Sequence, residues 1–182
     1  MNNSKSTGIV RRIDDLGRVV VPKEIRRTMR LREGDPLEIF ATKDSITFKK
    51  YSVLGELSSC NDILRGLFRL FGYSVLLCDR NQVVDACGIP KNQYENRVFT
   101  EKFSSLNPCS LTVIDAANPT LVLKGSELYA DIVIPIRAHG DLYGCVVMLK
   151  PLNGKQRNMQ REPLFTGMEL AAQIIISMIE TD

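Results

Sequence analysis

The stretch Thr7-Gly8-Ile9-Val10-Arg11-Arg12-Ile13-Asp14-Asp15-Leu16-Gly17-Arg18-Val19-Val20-Val21-Pro22-Lys23-Glu24-Ile25-Arg26-Arg27 decides the fold. Two short β-rich runs, 7–13 and 18–21, flank the turn Asp14-Asp15-Leu16-Gly17, where Asp offers side-chain acceptors and Gly tolerates the backbone angles of a tight turn. Pro22 suits the first position of a helix, where its missing N–H would have no partner anyway, so a short helix is predicted over 23–29. Glu33-Gly34-Asp35 makes the next turn. Residues 36–41 and 45–49 then form a second hairpin across Thr42-Lys43-Asp44, with Leu37/Ile39 and Ile46/Phe48 alternating as strands with one covered face do.

Such a unit is close to the lower size limit for burying a core of its own. The chain has no Trp, and no cysteine precedes Cys60, so neither a disulfide nor a thiolate-bound metal can brace the unit. Oligomerisation is the remaining remedy, and residues 1–52 are expected to form an obligate homodimer.

The strand pattern stops at 52–56, and Leu54, Leu57, Leu64, Phe68 and Phe71 begin a helical spacing of three and four. Residues 53–182 are therefore read as a second domain. Asn61 falls in the same helical series, where it either sets register in a contact between two helices or lies on a helix packed against its own domain. Runs 73–79 and 83–87 look like a hairpin turning at Arg80-Asn81-Gln82. Runs 111–115 and 120–124 make a second pair, and 129–138 and 142–149 a third, strongly apolar pair across His139-Gly140-Asp141. Residues 151–162 read as loop. The run 164–179 is apolar nearly all round, so its helix should be buried on more than one side, against the sheet and against another subunit. Helix, antiparallel strands and helix give an α+β domain.

The 182 residues are 44% hydrophobic and 25% charged, the ordinary globular range. Charge is unevenly spread. Residues 1–52 carry twelve Lys/Arg against seven Asp/Glu, net +5, and residues 53–182 twelve against fourteen, net −2. A basic head on a slightly acidic body points to an anionic partner for the head. Lys23, Arg26, Arg27 and Arg30 are spaced i, i+3, i+4 and i+7, one stripe of the predicted helix, with Ile25 and Met29 on the opposite, core-facing side. Arg11, Arg12 and Arg18 flank the adjoining turn. From Arg11 to Arg32 there are eight cations, seven of them arginine, against three acids, which weakens the alternative of a merely solvated face balanced by acids. Arginine's planar fork contacts phosphate or guanine with two hydrogen bonds, as lysine cannot. A nucleic acid is the expected partner of this surface.

The run 7–27 and its continuation Leu31-Arg32-Glu33-Gly34-Asp35-Pro36-Leu37-Glu38-Ile39-Phe40 resemble the DNA-binding domain of AbrB-type bacterial regulators over residues 7–51. The pattern Ile134-Pro135-Ile136 and Gly144-Cys145-Val146-Val147, with the domain order and length, resembles the members that add a C-terminal GAF domain. The resemblance implies a swapped-hairpin dimer with interleaved strands, and DNA contact by Arg11, Arg18, Arg26 and Arg27, with Arg12 and Lys23 beside them. It further implies a transcriptional regulator of sporulation genes, activating or repressing by target, acting at loosely defined, often A/T-rich sites read through DNA shape. GAF domains commonly bind a small effector, so residues 53–182 are expected to act as a sensor and oligomerisation domain. No cofactor is implied, and the effector is unidentified. Segment 88–110, with Gly88, Pro90, Tyr94, Arg97, Phe99, Lys102 and Phe103, either lines a pocket or is ordinary surface loop.

No catalytic or metal-ligating pattern is visible, and an enzyme is not expected. His139, the only histidine, reads as an exposed turn residue. Cys60, Cys78, Cys87, Cys109 and Cys145 are odd in number, contain no C-x-x-C pair and read as reduced, buried hydrophobes. Two rivals stand beside the regulator. One is a toxin-neutralising protein of the same swapped-hairpin fold, which would normally end in an acidic tail. The other is a GAF-like thiol oxidoreductase using Cys78, Cys87 or Cys109. No apolar stretch approaches the roughly 18 to 20 residues of a membrane span, and the first residues lack a signal peptide's apolar region, so a cytoplasmic, nucleoid-associated protein is expected. The N-terminal dimer and the apolar last helix together predict a homotetramer.

Overall fold

A computed structural model describes residues 7–31, 33–95, 97–106, 112–113, 118–151 and 160–181. The chain divides into two units, Met1–Tyr51 and Ser52–Asp182.

In the first unit, Pro22 precedes helix α1, Lys23–Met29, and its carbonyl accepts the Arg26 N–H at 2.9 Å. Strands β1, Leu37–Ala41, and β2, Ile46–Lys50, pair antiparallel, with Ile39 opposite Phe48 and Ala41 opposite Ile46. Because side chains alternate along a strand, Leu37, Ile39, Ala41, Ile46 and Phe48 share one apolar face. The predicted runs 7–13 and 18–21 are not strands in this chain. Apart from the Asp14 N–H to Arg18 carbonyl bond of 3.0 Å, they make no ladder with each other. No described residue of this unit is buried, and twelve large apolar side chains between Ile9 and Tyr51 are 37–82% exposed.

The second unit is an antiparallel sheet with helices. After α2, Val53–Glu56, and α3, Cys60–Phe71, come β3, Val75–Asp79, and β4, Val83–Cys87. Helix α4, Glu101–Ser105, precedes β5, Thr112–Val113, and β6, Thr120–Leu121. Strands β7, Tyr129–Ala138, and β8, Asp141–Leu149, lead to α5, Arg161–Thr181. The sheet order is β4-β3-β8-β7-β5, with β6 also on β7. The long apolar pair β7 and β8 turns at His139 and Gly140, both with positive φ, and His139 is exposed.

Alternation along the central strands makes two cores. Val75, Leu77, Ile132, Ile134, Ile136, Val146 and Met148 pack with residues of α3 and α5. Leu76, Cys78, Val133, Cys145, Val147 and Leu149 point the other way, into a cluster with Phe99, Phe103, Val122 and Leu123. Gly144 is required by a close approach. A side chain there would run into the Cys78 carbonyl oxygen and come within 2.8 Å of Leu54 Cδ1.

Several expectations need correcting. The helical spacing from Leu54 to Phe71 is two helices, interrupted at Leu57-Ser58-Ser59. Among the described residues, the runs 111–115 and 120–124 do not pair with each other. β5 and β6 bind the same long strand at different heights, Thr112 opposite Val133 and Thr120 opposite Ala130, because β7 extends ten residues and offers its second edge to both. Asn61 belongs to its own domain, donating from Nδ2 to Asp85 Oδ2 at 2.7 Å. Helix α5 buries Leu164, Met168, Ala171, Ala172, Ile175 and Ile179 on one side. Its other side is not buried within the chain, where Leu170 and Ile174 are 61% and 42% exposed. Contrary to the expectation that no apolar stretch approaches the length of a span, α5 is by length and composition alone apolar enough to cross a bilayer. Its packing on β7 and α3 is that of a core helix. Residues 152–159 of the expected loop and Cys109 lie outside the described residues.

Candidate nucleic-acid interface

The cationic residues sit on two short pieces of the first unit. Around the turn, the Asp14 carboxylate gathers three N–H donors. Oδ1 accepts from the Arg18 backbone at 2.7 Å and the Leu16 backbone at 3.1 Å, and Oδ2 accepts from Arg18 Nε at 2.8 Å. Gly17 closes the turn through its N–H to the Asp14 carbonyl at 3.0 Å, with φ at 75°, a value favouring glycine. These bonds hold the Asp14 carboxyl below its usual range, chiefly through the Arg18 backbone N–H and then the Arg18 side chain. The Arg18 side chain is nevertheless 67% exposed.

On α1, Lys23, Arg26 and Arg27 are all exposed along one stripe. Among the described residues, none of the three is in an ion pair, and Glu24 on the same helix does not reach them. Three uncompensated cations within two turns repel one another, and an anion laid against them relieves that repulsion. Arg30 does not continue the stripe. It is the left-handed C-cap, with φ at 53°, and the Leu31 N–H returns to the Arg26 carbonyl at 2.7 Å to close the helix end. Met29, placed by spacing on the covered side, is exposed in the single chain, while Ile25 is half-buried.

Arg11 and Arg12 are both exposed. Arg11 Nη1 folds back to the Val10 carbonyl at 3.0 Å. The structure thus groups Lys23, Arg26 and Arg27, and separately braces Arg18. Sequence reading did not single out Asp14 as a brace, although an Asp opening a four-residue turn that ends in Gly-Arg carries that signal.

The second unit offers little chemistry. Phe99 and Phe103 fill the core with ring centroids 5.0 Å apart, and so do not line a pocket. Lys102 Nζ donates to the Asn118 side chain and to the Asn118 and Pro119 carbonyls, and Arg97 Nη1 to the Gly125 carbonyl. An open groove of about 380 Å³ lies elsewhere, lined by Ile134, Pro135, Glu169, Ala172 and Gln173 of β7 and α5. Cys78 and Cys145 face each other across β3 and β8. Both are buried, and burial followed by the Cys145 contact pushes the Cys78 thiol well up, the opposite of a nucleophilic thiolate. Among the described residues no group of His, Cys, Asp and Glu is placed to hold a metal.

Comparison with known proteins divides the chain in the same two parts. Residues 10–52 match the family described as "Antidote-toxin recognition MazE, bacterial antitoxin", and residues 56–176 the family "Stage V sporulation protein T C-terminal, transcription factor". The chain is 43% identical to Stage V sporulation protein T of Bacillus subtilis (strain 168) over 149 residues, covering 79% of this chain and 84% of that protein. The transition state regulatory protein AbrB of the same organism is 50% identical over 68 residues, covering 34% of this chain and 71% of its own. The putative transition state regulator Abh is 41% identical over 63 residues, covering 31% of this chain and 68% of its own.

Proposed function

This chain belongs to the family of Stage V sporulation protein T, AbrB-type transcription regulators of sporulation, and on that premise we propose that its basic unit grips double-stranded DNA as a homodimer. The observation that carries the reading is a unit with no buried residue among those described and a stripe of cations outside any ion pair among them. A second copy covers the apolar faces through a swapped hairpin and doubles the cationic surface. Arg11, Arg18, Arg26 and Arg27 contact the duplex, and Arg12 and Lys23 add positive field.

Residues 53–182 act in this reading as a GAF-like sensor domain. An unidentified small effector there biases DNA binding only if it favours one of two states. The exposed Leu170 and Ile174, one turn apart on α5, seat a second copy and complete a homotetramer working at the nucleoid. A purely dimeric mass in solution overturns that assembly.

Binding to an A/T-rich duplex across a salt series tests the reading. Four arginines per chain at phosphates give a dimer about eight contacts, so affinity falls roughly 10⁴-fold between 50 and 200 mM salt. Arg26→Ala/Arg27→Ala removes about half of that dependence. Wild type that fails to bind at low salt refutes it. The likeness of residues 10–52 to an antitoxin family favours one second reading, capture of a toxin protein, and salt-insensitive capture without DNA binding would support it.

A further inference from the structure

We propose that Asp14 is a positioning residue for DNA recognition, holding Arg18 so that only the outer edge of its guanidinium is presented to the duplex. The inference rests on the DNA-binding reading above and extends it to an acidic residue inside the cationic surface.

A carboxylate among phosphate-contacting cations weakens long-range attraction, so its place there calls for a local role. The geometry supplies one. Asp14 accepts the backbone N–H and the Nε–H of the same arginine, at 2.7 and 2.8 Å, while its backbone joins the turn through the Gly17 N–H and the Arg18 carbonyl. Both ends of the Arg18 side chain's root are thereby fixed. With Nε engaged, the donors left for a base or phosphate are those on Nη1 and Nη2, a fork of fixed direction. A free arginine samples many rotamers and pays ordering entropy on binding, whereas a braced one has lost that freedom beforehand. Asp15, the neighbouring acid of the turn, makes no such bond among the described residues. The brace thus belongs to one carboxylate and one arginine.

Positioning and simple electrostatics predict opposite results. Removing a negative charge should tighten binding to every duplex alike, and losing the brace should erode discrimination between duplexes. The test measures affinity of the full chain for a duplex enriched from a random-sequence pool by the wild type, and for a scrambled duplex of equal composition. Asp14→Asn retains an acceptor for the turn but not the charged brace, and is expected to lower the affinity ratio about tenfold while binding to scrambled DNA holds or rises. Arg18→Lys keeps the charge without the fork and should lower the ratio similarly. In an Arg18→Ala background, Asp14→Asn should leave the ratio unchanged.

An unchanged ratio in Asp14→Asn or Arg18→Lys overturns the proposal, as does an equal loss in the Arg18→Ala background or a wild type without sequence preference. If Asp14→Asn does not fold, judged by circular dichroism and mass, Arg18→Lys alone decides. Wild type that binds no DNA at all is a different outcome, since it removes the DNA-binding reading itself.

Discussion

Replacing Ile39 by alanine distinguishes a hairpin face open to water from one covered by a second copy. In the single chain Ile39 is 62% exposed, opposite Phe48 on the apolar face of β1 and β2. If that face stays in solvent, only the covered third or so of the side chain counts, and truncation costs about 1 kcal/mol. If a partner buries it fully, the loss of transfer energy and the cavity left behind cost about 3 kcal/mol per chain. Hydrogen exchange of peptides within 37–50, measured on full-length protein, reads the difference directly, because exchange follows the local opening equilibrium. At about 1.4 kcal/mol per tenfold, the covered face predicts exchange roughly 100-fold faster in the variant, and the open face about fivefold. The covered face also predicts that dilution speeds exchange in the wild type, since opening then releases the partner. Acceleration of fivefold or less, indifferent to concentration, would refute the dimer argument.

In the C-terminal unit, Gly144→Ala drives a methyl group into the Cys78 carbonyl oxygen and is expected to cost about 3 kcal/mol, visible as a lower urea midpoint. Arg30→Gly should stabilise the N-terminal unit by about 0.5–1 kcal/mol, since the left-handed C-cap strains any residue bearing a Cβ; an unchanged midpoint would mean that the Arg30 side chain compensates. The Asp14 carboxyl should titrate below 3.8 by NMR, so its contribution is complete at neutral pH and is lost only as pH falls through the lowered value. Cys60 has the opposite sign. Burial, then Asp85, pushes its thiol up to about 11, so stability of its domain should decline as pH rises from 9 towards 11 and stay flat below.

What the sequence made legible was patterning on a single chain. The alternation Leu37/Ile39 with Ile46/Phe48 yields β1 and β2 because a period of two leaves one apolar face whatever covers it. The apolar runs around His139-Gly140 yield β7 and β8, since two apolar segments with a two-residue turn have one natural pairing. What escaped depends on contacts that no periodicity encodes. Pairing of 112–113 and 120–121 with β7 rather than with each other is a choice among edges, fixed by the length of β7. Arg30 counts as the next turn of the cationic stripe by spacing, yet the helix ends one residue before it. In the site, the cations could be read from charge alone. The Asp14 brace is only hinted at by an Asp opening the turn, because the same acid in another rotamer would be solvated surface.

The runs 7–13 and 18–21 show where patterning stops short in a more instructive way. Their composition is that of strands, and the chain by itself gives them no ladder. Runs of strand composition without a ladder leave apolar side chains in water, and a second copy offers both strand pairing and cover. In the proposed assembly the DNA surface and the dimer therefore form in one step, because the turn that carries Arg18 lies between the two runs that need the partner. Association through α5 would then favour that step without touching DNA, since tethering two basic units raises their effective concentration. In the proposed assembly the C-terminal domain would govern DNA affinity through how often two basic units meet, and an effector that loosened the α5 contact would act at a distance with no change in the cationic surface itself.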